Sequence, residues 1–299
     1  MIQTATVADL FTRWDIPWIP TSALIVSSLI YARGWARIRR TRPEIFTGWR
    51  LGAFLGGMLA IFIAVASPLD YFADRLLSIH MVQHFFLWSV APIPIVFSAP
   101  VVPMLRGLPR WLIRRGLRLL FSSGVPHRIG TFLTRRRVAL LAWTLAFVIW
   151  HVPKMFSLAL SNEFIHEYGE HLSFFLGSLI FWWPVIAPWP FRQPRNFSSG
   201  DSHRWMLIPY LLLASVLNTA VSAFLCFSGR VLYPGNELGT RLLGLTPLSD
   251  QIAAGAFMWV SGSMMFLIAG SIVIMQLLSP PRFAARTPPY LTQGQSSLL

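Results

Sequence analysis

Residues 78–100 read SIHMVQHFFLWSVAPIPIVFSAP. The run is apolar enough to cross a bilayer, yet it opens with His80, Gln83 and His84. Residues four apart on a helix lie one turn apart on the same face, so His80 and His84 point the same way. An imidazole inside or at the edge of hydrocarbon costs free energy unless a partner satisfies it. Such a residue is a functional-site candidate by default. Whatever faces this pair decides what the chain does.

Of 299 residues, 55% are hydrophobic and 12% are charged. A soluble domain averages about 25% charged residues, so this composition is that of an integral membrane protein. A span needs roughly 20 apolar residues. Seven runs qualify, at 16–35, 48–67, 79–99, 138–152, 168–187, 205–227 and 251–278. The fourth is short unless Arg137 snorkels. The expected fold is a single all-α domain of seven transmembrane helices over 1–279, with a mobile cytoplasmic tail at 280–299. Pro92 and Pro94 each remove a backbone donor and are expected to bend the third span around 91–95. Met1 to Asp15 lacks the pattern of a cleavable signal.

Lys and Arg set the orientation. The links after spans one, three and five, with the tail, hold twenty basic residues, while the opposite side holds five. The acids are reversed, with only Glu44 and Asp201 on the basic side. The N-terminus is therefore expected outside and the C-terminus in the cytoplasm. The net charge of +14 belongs to this bias and not to nucleic-acid binding. The basic link 100–137, with its WLIRRGLRLLF run, reads as an amphipathic segment lying on anionic lipid. Cys226 is the only cysteine, so no internal disulfide forms.

On this topology five of the seven histidines gather at the outer face. His80 and His84 open span three, His151 ends span four in IWHVPKMF, and His166 and His171 precede or open span five in NEFIHEYGEHL. Glu163, Glu167 and Glu170 accompany the last pair. His166 and His171 are five apart, about 140° round an ideal α-helix, so a straight helix would not aim both at one point. Met81, Met155, Met258 and Cys226 lie near the same depth, and Asp250 opens span seven. Imidazole suits copper, zinc, iron and nickel, while thioether and thiolate add softness for Cu(I). The candidate metal ligands are His80, His84, His151, His166 and His171, with Asp250, Glu167, Met81, Met155 and Cys226 as weaker members. Asp250 reads equally well as a cap on the seventh helix, and Asn218 as interhelical glue. No spacing fits a paired CxxC zinc module.

HMVQH followed by a proline-bearing run ending SAP, then WH-VP, then H-x4-H leading to FWWPVIAP, then DQ-x3-G-x2-MW together resemble the polytopic CtaG family. These are bacterial cytochrome c oxidase assembly factors, distinct from the single-span copper chaperone sometimes given the same letters. The matching residues are His80, Met81, Gln83, His84, Trp150, His151, Pro153, His166, His171, Trp182, Pro184, Asp250, Gln251, Gly255, Met258 and Trp259. The resemblance implies a role in maturing haem-copper oxidase, with oxidase subunits as partners and copper as the cargo of a non-enzymatic metallochaperone. The ligands could come from one chain or from a homodimer.

Three other functional classes fit the pattern less well. Haem ligation by facing histidines would give an electron-transfer protein, but the histidines lie at span ends and no deeper pair exists. A metal-dependent membrane enzyme with Glu167 or Glu170 as general base lacks HExxH, since His166 to His171 is one residue too long. A transporter would need ionisable groups at the midplane. Neutral imidazole is the ligand form, so metal affinity is expected to fall below about pH 6.5.

Overall fold

The computed structural model describes residues 14, 16–112, 124–188, 204–233 and 244–278. The expected tail 280–299, the centre of the basic link and His203 lie outside the described residues. Among the described residues the fold is all helical. Four helices are long and apolar enough to cross a membrane, and five if one bent pair counts as a single span.

The first helices of the described residues are α1 (Trp18–Arg39) and α2 (Gly48–Ala66). Ser67 then accepts from Leu69 N (3.1 Å) and Pro68 takes the first helical position, which starts the short α3 (Pro68–Ala73). Next come α4 (Leu77–Phe85), a π-helical turn π1 (Phe86–Val90) and α5 (Pro92–Phe97), which together make one candidate span, Leu77–Phe97. The break expected around 91–95 falls at Ala91, the turn between π1 and α5. Pro92 offers no N–H to the carbonyl of Trp88 four residues back. Trp182 Nε1 donates to that carbonyl instead (3.3 Å), and Ala91 N closes a five-residue π bond to Phe86 O (2.9 Å).

Across the basic link run α6 (Val101–Gly107) and α7 (Val125–Leu133). The fourth apolar run is α8 (Arg136–Trp150), followed by α9 (Pro153–Ser161) at 75° to it. Pro153 forces Val152 into extended backbone (ψ 124°), which ends α8 and leaves His151 at its C-terminal edge. The expected span 138–152 is thus the first limb of a bent pair. The fifth run is a second π-turn, π2 (Ile165–His171), continuing into α10 (Leu172–Ile186). The last two are α11 (Leu207–Phe227) and α12 (Pro247–Leu278).

Packing is close where glycines allow it. A Cβ on Gly34 would lie 1.8 Å from Pro103 O, and one on Gly107 1.8 Å from Ile30 O, so α1 and α6 touch backbone to backbone. Between α11 and α12, Gly262 meets the Asn218 amide and Gly255 meets Cys226, the small-residue interface that suits helices in lipid. An aromatic core of Trp88, Trp143, Phe181, Trp182 and Phe266 fills the middle. Large apolar side chains such as Leu267 and Val260 face outward from α12, the pattern of a lipid-covered surface.

The two ends differ in chemistry. Asp250 bonds Ser78, Glu170 faces His80, and the Tyr233 hydroxyl donates to His151 O (2.7 Å), so these segments share one end. At the other end Arg37 donates to Arg106 O (2.6 Å), Arg50 to Phe97 O (2.9 Å), and Arg204 bonds Gln276.

Candidate metal centre

Four histidines and a glutamate form one buried cluster. His80 and His84, on successive turns of α4, have ring centroids 4.2 Å apart. His166 and His171 are also 4.2 Å apart. The 140° separation of an ideal α-helix is abolished because these two residues lie in π2. One π-turn closes on a five-residue bond, so residues five apart share a face. Across the cluster His80 lies 5.4 Å from His166, and His84 lies 5.7 Å from His171.

Glu170 sits in the middle and is fully buried. Its Oε1 is 3.5 Å from Nε2 of both His80 and His84, and its Oε2 is 2.8 Å from His166 Nδ1. A carboxylate can only accept here, so His166 Nδ1 donates, and in the neutral ring Nε2 is the nitrogen with the lone pair. One donor atom each from His80, His84 and Glu170 lie within 4.8 Å of one another, near enough for a single ion.

The decisive feature is what these atoms lack. Both nitrogens of His80, His84 and His171, Nε2 of His151 and His166, and Oε1 of Glu170 are buried without a hydrogen-bond partner. Each such group costs about 1–3 kcal/mol to leave unmet, and buried polar groups in folded proteins are almost always partnered. A metal ion is the partner for which imidazole lone pairs and a carboxylate oxygen are suited. The donor set therefore fits a cation.

The surrounding residues hold this set in place. Asp250 does not cap its own helix. Its carboxylate accepts from Leu77 N (2.7 Å), Ser78 N (3.1 Å) and Ser78 Oγ (2.5 Å), which caps α4 from across the bundle and aims the helix bearing His80 and His84. Gln83, on the same helix, donates to Ala64 O (2.9 Å) and Asp70 Oδ1 (2.5 Å). Asn162 accepts from Ile165 N (3.1 Å) at the start of π2. Trp150 Nε1 donates to Ser173 Oγ (2.8 Å), and Gly169 gives the indole room.

His151 Nδ1 bonds Phe147 O (2.6 Å), and its ring meets Phe174, which also packs on His84. It stands beside the four-ring cluster, with Nε2 unpartnered. Glu167 Oε1 lies 3.7 Å from His171 Nδ1 at the rim. Met81 and Met258 are buried in the apolar core, and Met155 is half-buried on α9. Cys226 Sγ bonds Ile252 O (3.6 Å) in the contact between α11 and α12. Glu170, which the sequence offered only as one of three accompanying carboxylates and a possible general base, is the acid at the centre of the cluster. Its signals were adjacency to His171 and its four-residue spacing from His166.

The sequence model of the family described as cytochrome c oxidase caa3 assembly factor (Caa3_CtaG) matches residues 29–279. Uncharacterized protein Mb0105 of Mycobacterium bovis is 28% identical over 225 residues, covering 72% of this chain and 34% of the relative. Uncharacterized protein ML1998 of Mycobacterium leprae is 26% identical over 208 residues, covering 64% and 29%. The chain thus spans about a third of the length of the curated relatives it matches. No solved structure matches.

Proposed function

From the premise that this chain belongs to the cytochrome c oxidase caa3 assembly factor family, we propose that it is a non-enzymatic membrane protein that binds copper at the histidine cluster and hands it to a nascent oxidase subunit. The observation that carries this reading is the buried set of unpartnered donors on His80, His84, His151, His166, His171 and Glu170. Copper is the cargo. His80, His84 and Glu170 would hold it closely, and His166, His171 and His151 supply further imidazole. Every donor in this set comes from one chain, so no second copy is needed to complete it.

The arrangement in the membrane is part of the same proposal. Seven spans, with α1 and the π2–α10 segment counted among them, put the N-terminus outside and the C-terminus in the cytoplasm of a bacterial cell membrane. The twenty-to-five bias of basic residues supports this topology. The histidine end then faces outward, where the oxidase subunit would dock, and the arginine end meets anionic lipid.

Copper content of the purified protein tests the binding step. Wild type is expected to retain copper after gel filtration, and the His80→Ala/His84→Ala variant to retain less. Equal copper in the two removes the site as proposed. Oxidase activity in cells lacking the protein, restored by wild type but not by the variant, tests delivery.

A further inference from the structure

The histidine cluster divides into two pairs. Within each pair the rings are 4.2 Å apart, and between pairs they are 5.4 and 5.7 Å apart. The pairs also ride on different elements, His80 and His84 on α4, His166 and His171 on π2. Glu170 turns one oxygen to each. Its Oε1 faces Nε2 of His80 and His84, and its Oε2 accepts a hydrogen bond from His166 Nδ1.

We propose that the cluster holds two copper ions per chain, an inner one at His80, His84 and Glu170 Oε1, and an outer one at His166 and His171. The inference rests on the copper reading above and adds its stoichiometry and internal order.

The cluster has more donors than one ion can bind. A copper ion in a nitrogen- and oxygen-rich site takes about four donors in tetragonal geometry, and Cu(I) takes fewer. Each imidazole gives one nitrogen to a given ion. The five histidines, Glu170 and Glu167 offer seven donor groups, more than one ion can use. Single occupancy would leave buried lone pairs on one pair of rings still unmet, which is the cost the ion is there to relieve.

The role of Glu170 agrees with this. A histidine that ligates through one nitrogen commonly donates its other N–H to a carboxylate, which fixes the tautomer and aims the ring. His166 already has this arrangement with Glu170 Oε2, so its Nε2 is presented as a ligand. The carboxylate that orients the outer ligand is the one whose free oxygen meets the inner pair.

Carboxylate placement points the same way: Glu170 Oε1 faces the inner pair and Glu167 the outer, so each ion would have a carboxylate beside it. Glu167 lies against His171 at 3.7 Å, on the outer pair. His166 is the least buried of the four rings, with 9% of its side chain exposed against none of His80, and Glu167 beside His171 is 20% exposed, so the outer pair lies nearer the rim. Copper would reach the inner pair by way of the outer.

The test loads the full chain, purified in detergent, with Cu(I) under anaerobic conditions, removes the excess and measures copper per protein. Wild type is expected to hold two ions, and His166→Asn/His171→Asn and His80→Asn/His84→Asn one each. Native mass spectrometry of loaded wild type gives the count without any variant, and the gentler His171→Gln is expected to lose one ion. Wild type saturating at one ion, or the outer-pair variant keeping two, overturns the two-ion proposal and leaves the copper reading standing. Wild type holding none overturns both.

Discussion

Gln251 and the His80/His84 pair sit at the same end of the bundle, and both are buried to within 3%. Their surroundings are opposites. Gln251 Oε1 accepts from Leu232 N (2.7 Å), and Nε2 reaches Ser228 Oγ (2.8 Å) and the carbonyls of Leu225 and Arg230 (both 3.2 Å). It is a complete clamp on the turn after α11. No nitrogen of His80 or His84 has a hydrogen-bond partner. A buried polar group kept for structure is satisfied within the chain, and one kept for a ligand is satisfied when the ligand arrives. On the proposed reading the same bundle end contains both kinds, and mutation should tell them apart.

The largest loss of stability is expected at Asp250, which belongs to the satisfied kind but serves the other. Asp250→Ala leaves two backbone N–H groups and the Ser78 hydroxyl at the α4 start without their acceptor. A loss of about 3 kcal/mol is expected in thermal unfolding of the metal-free protein. Copper affinity should fall as well, by about 10–100-fold, because α4 no longer holds its histidines in place. Unchanged affinity would show that the cap does not position the pair.

Gln251→Leu comes next. It strands Leu232 N and is expected to cost about 2 kcal/mol, with copper per chain unchanged.

Asp70 gives a smaller, pH-dependent effect. It lies on α3, outside the spans. Burial, with the charges of Glu167 and Asp74 added, raises its pKa from 3.8 to about 7. The unfolded chain therefore releases this proton near pH 3.8 and the folded chain near pH 7, so stability falls as pH rises between them. Asp70→Asn removes the titration and still offers an oxygen to Gln83. It is expected to be roughly 1–2 kcal/mol more stable than wild type at pH 8, with the advantage gone by pH 4. Parallel melting curves across that range would contradict the assignment.

The smallest effect on the metal-free protein is expected at the histidines themselves. His84→Leu exchanges an unmet polar ring for an apolar side chain, so its stability cost should be about zero, or slightly favourable. Its copper content should nonetheless drop. A loss matching that of Gln251→Leu would mean that His84 has structural partners after all, and the contrast between the two residues would collapse.

Much of this was legible in the chain. Apolar runs fall near helices because length and hydropathy decide where a backbone can satisfy itself in lipid. Gly48–Ala66 and Leu207–Phe227 lie within two residues of the expected 48–67 and 205–227. The convergence of His80, His84, His166 and His171 was also expected from their shared depth. What escaped depends on non-local geometry. The π-turn that aligns His166 with His171 follows from packing and has no signature in their five-residue spacing. The Asp250 cap on α4 joins residues 172 positions apart, so local rules pointed to its own helix. Pro153 was visible, but the 75° turn it introduces after His151 depends on where α9 packs. Glu170 stood among three similar glutamates, and only burial separates it from Glu163 and Glu167.

A diffraction map at the copper absorption edge, from protein purified with copper, addresses the central claim most directly. Anomalous density in contact with His80, His84 and Glu170 is the predicted result. Density confined to other places, such as Cys226 or the methionines of α12, with none between these three side chains, would contradict the account.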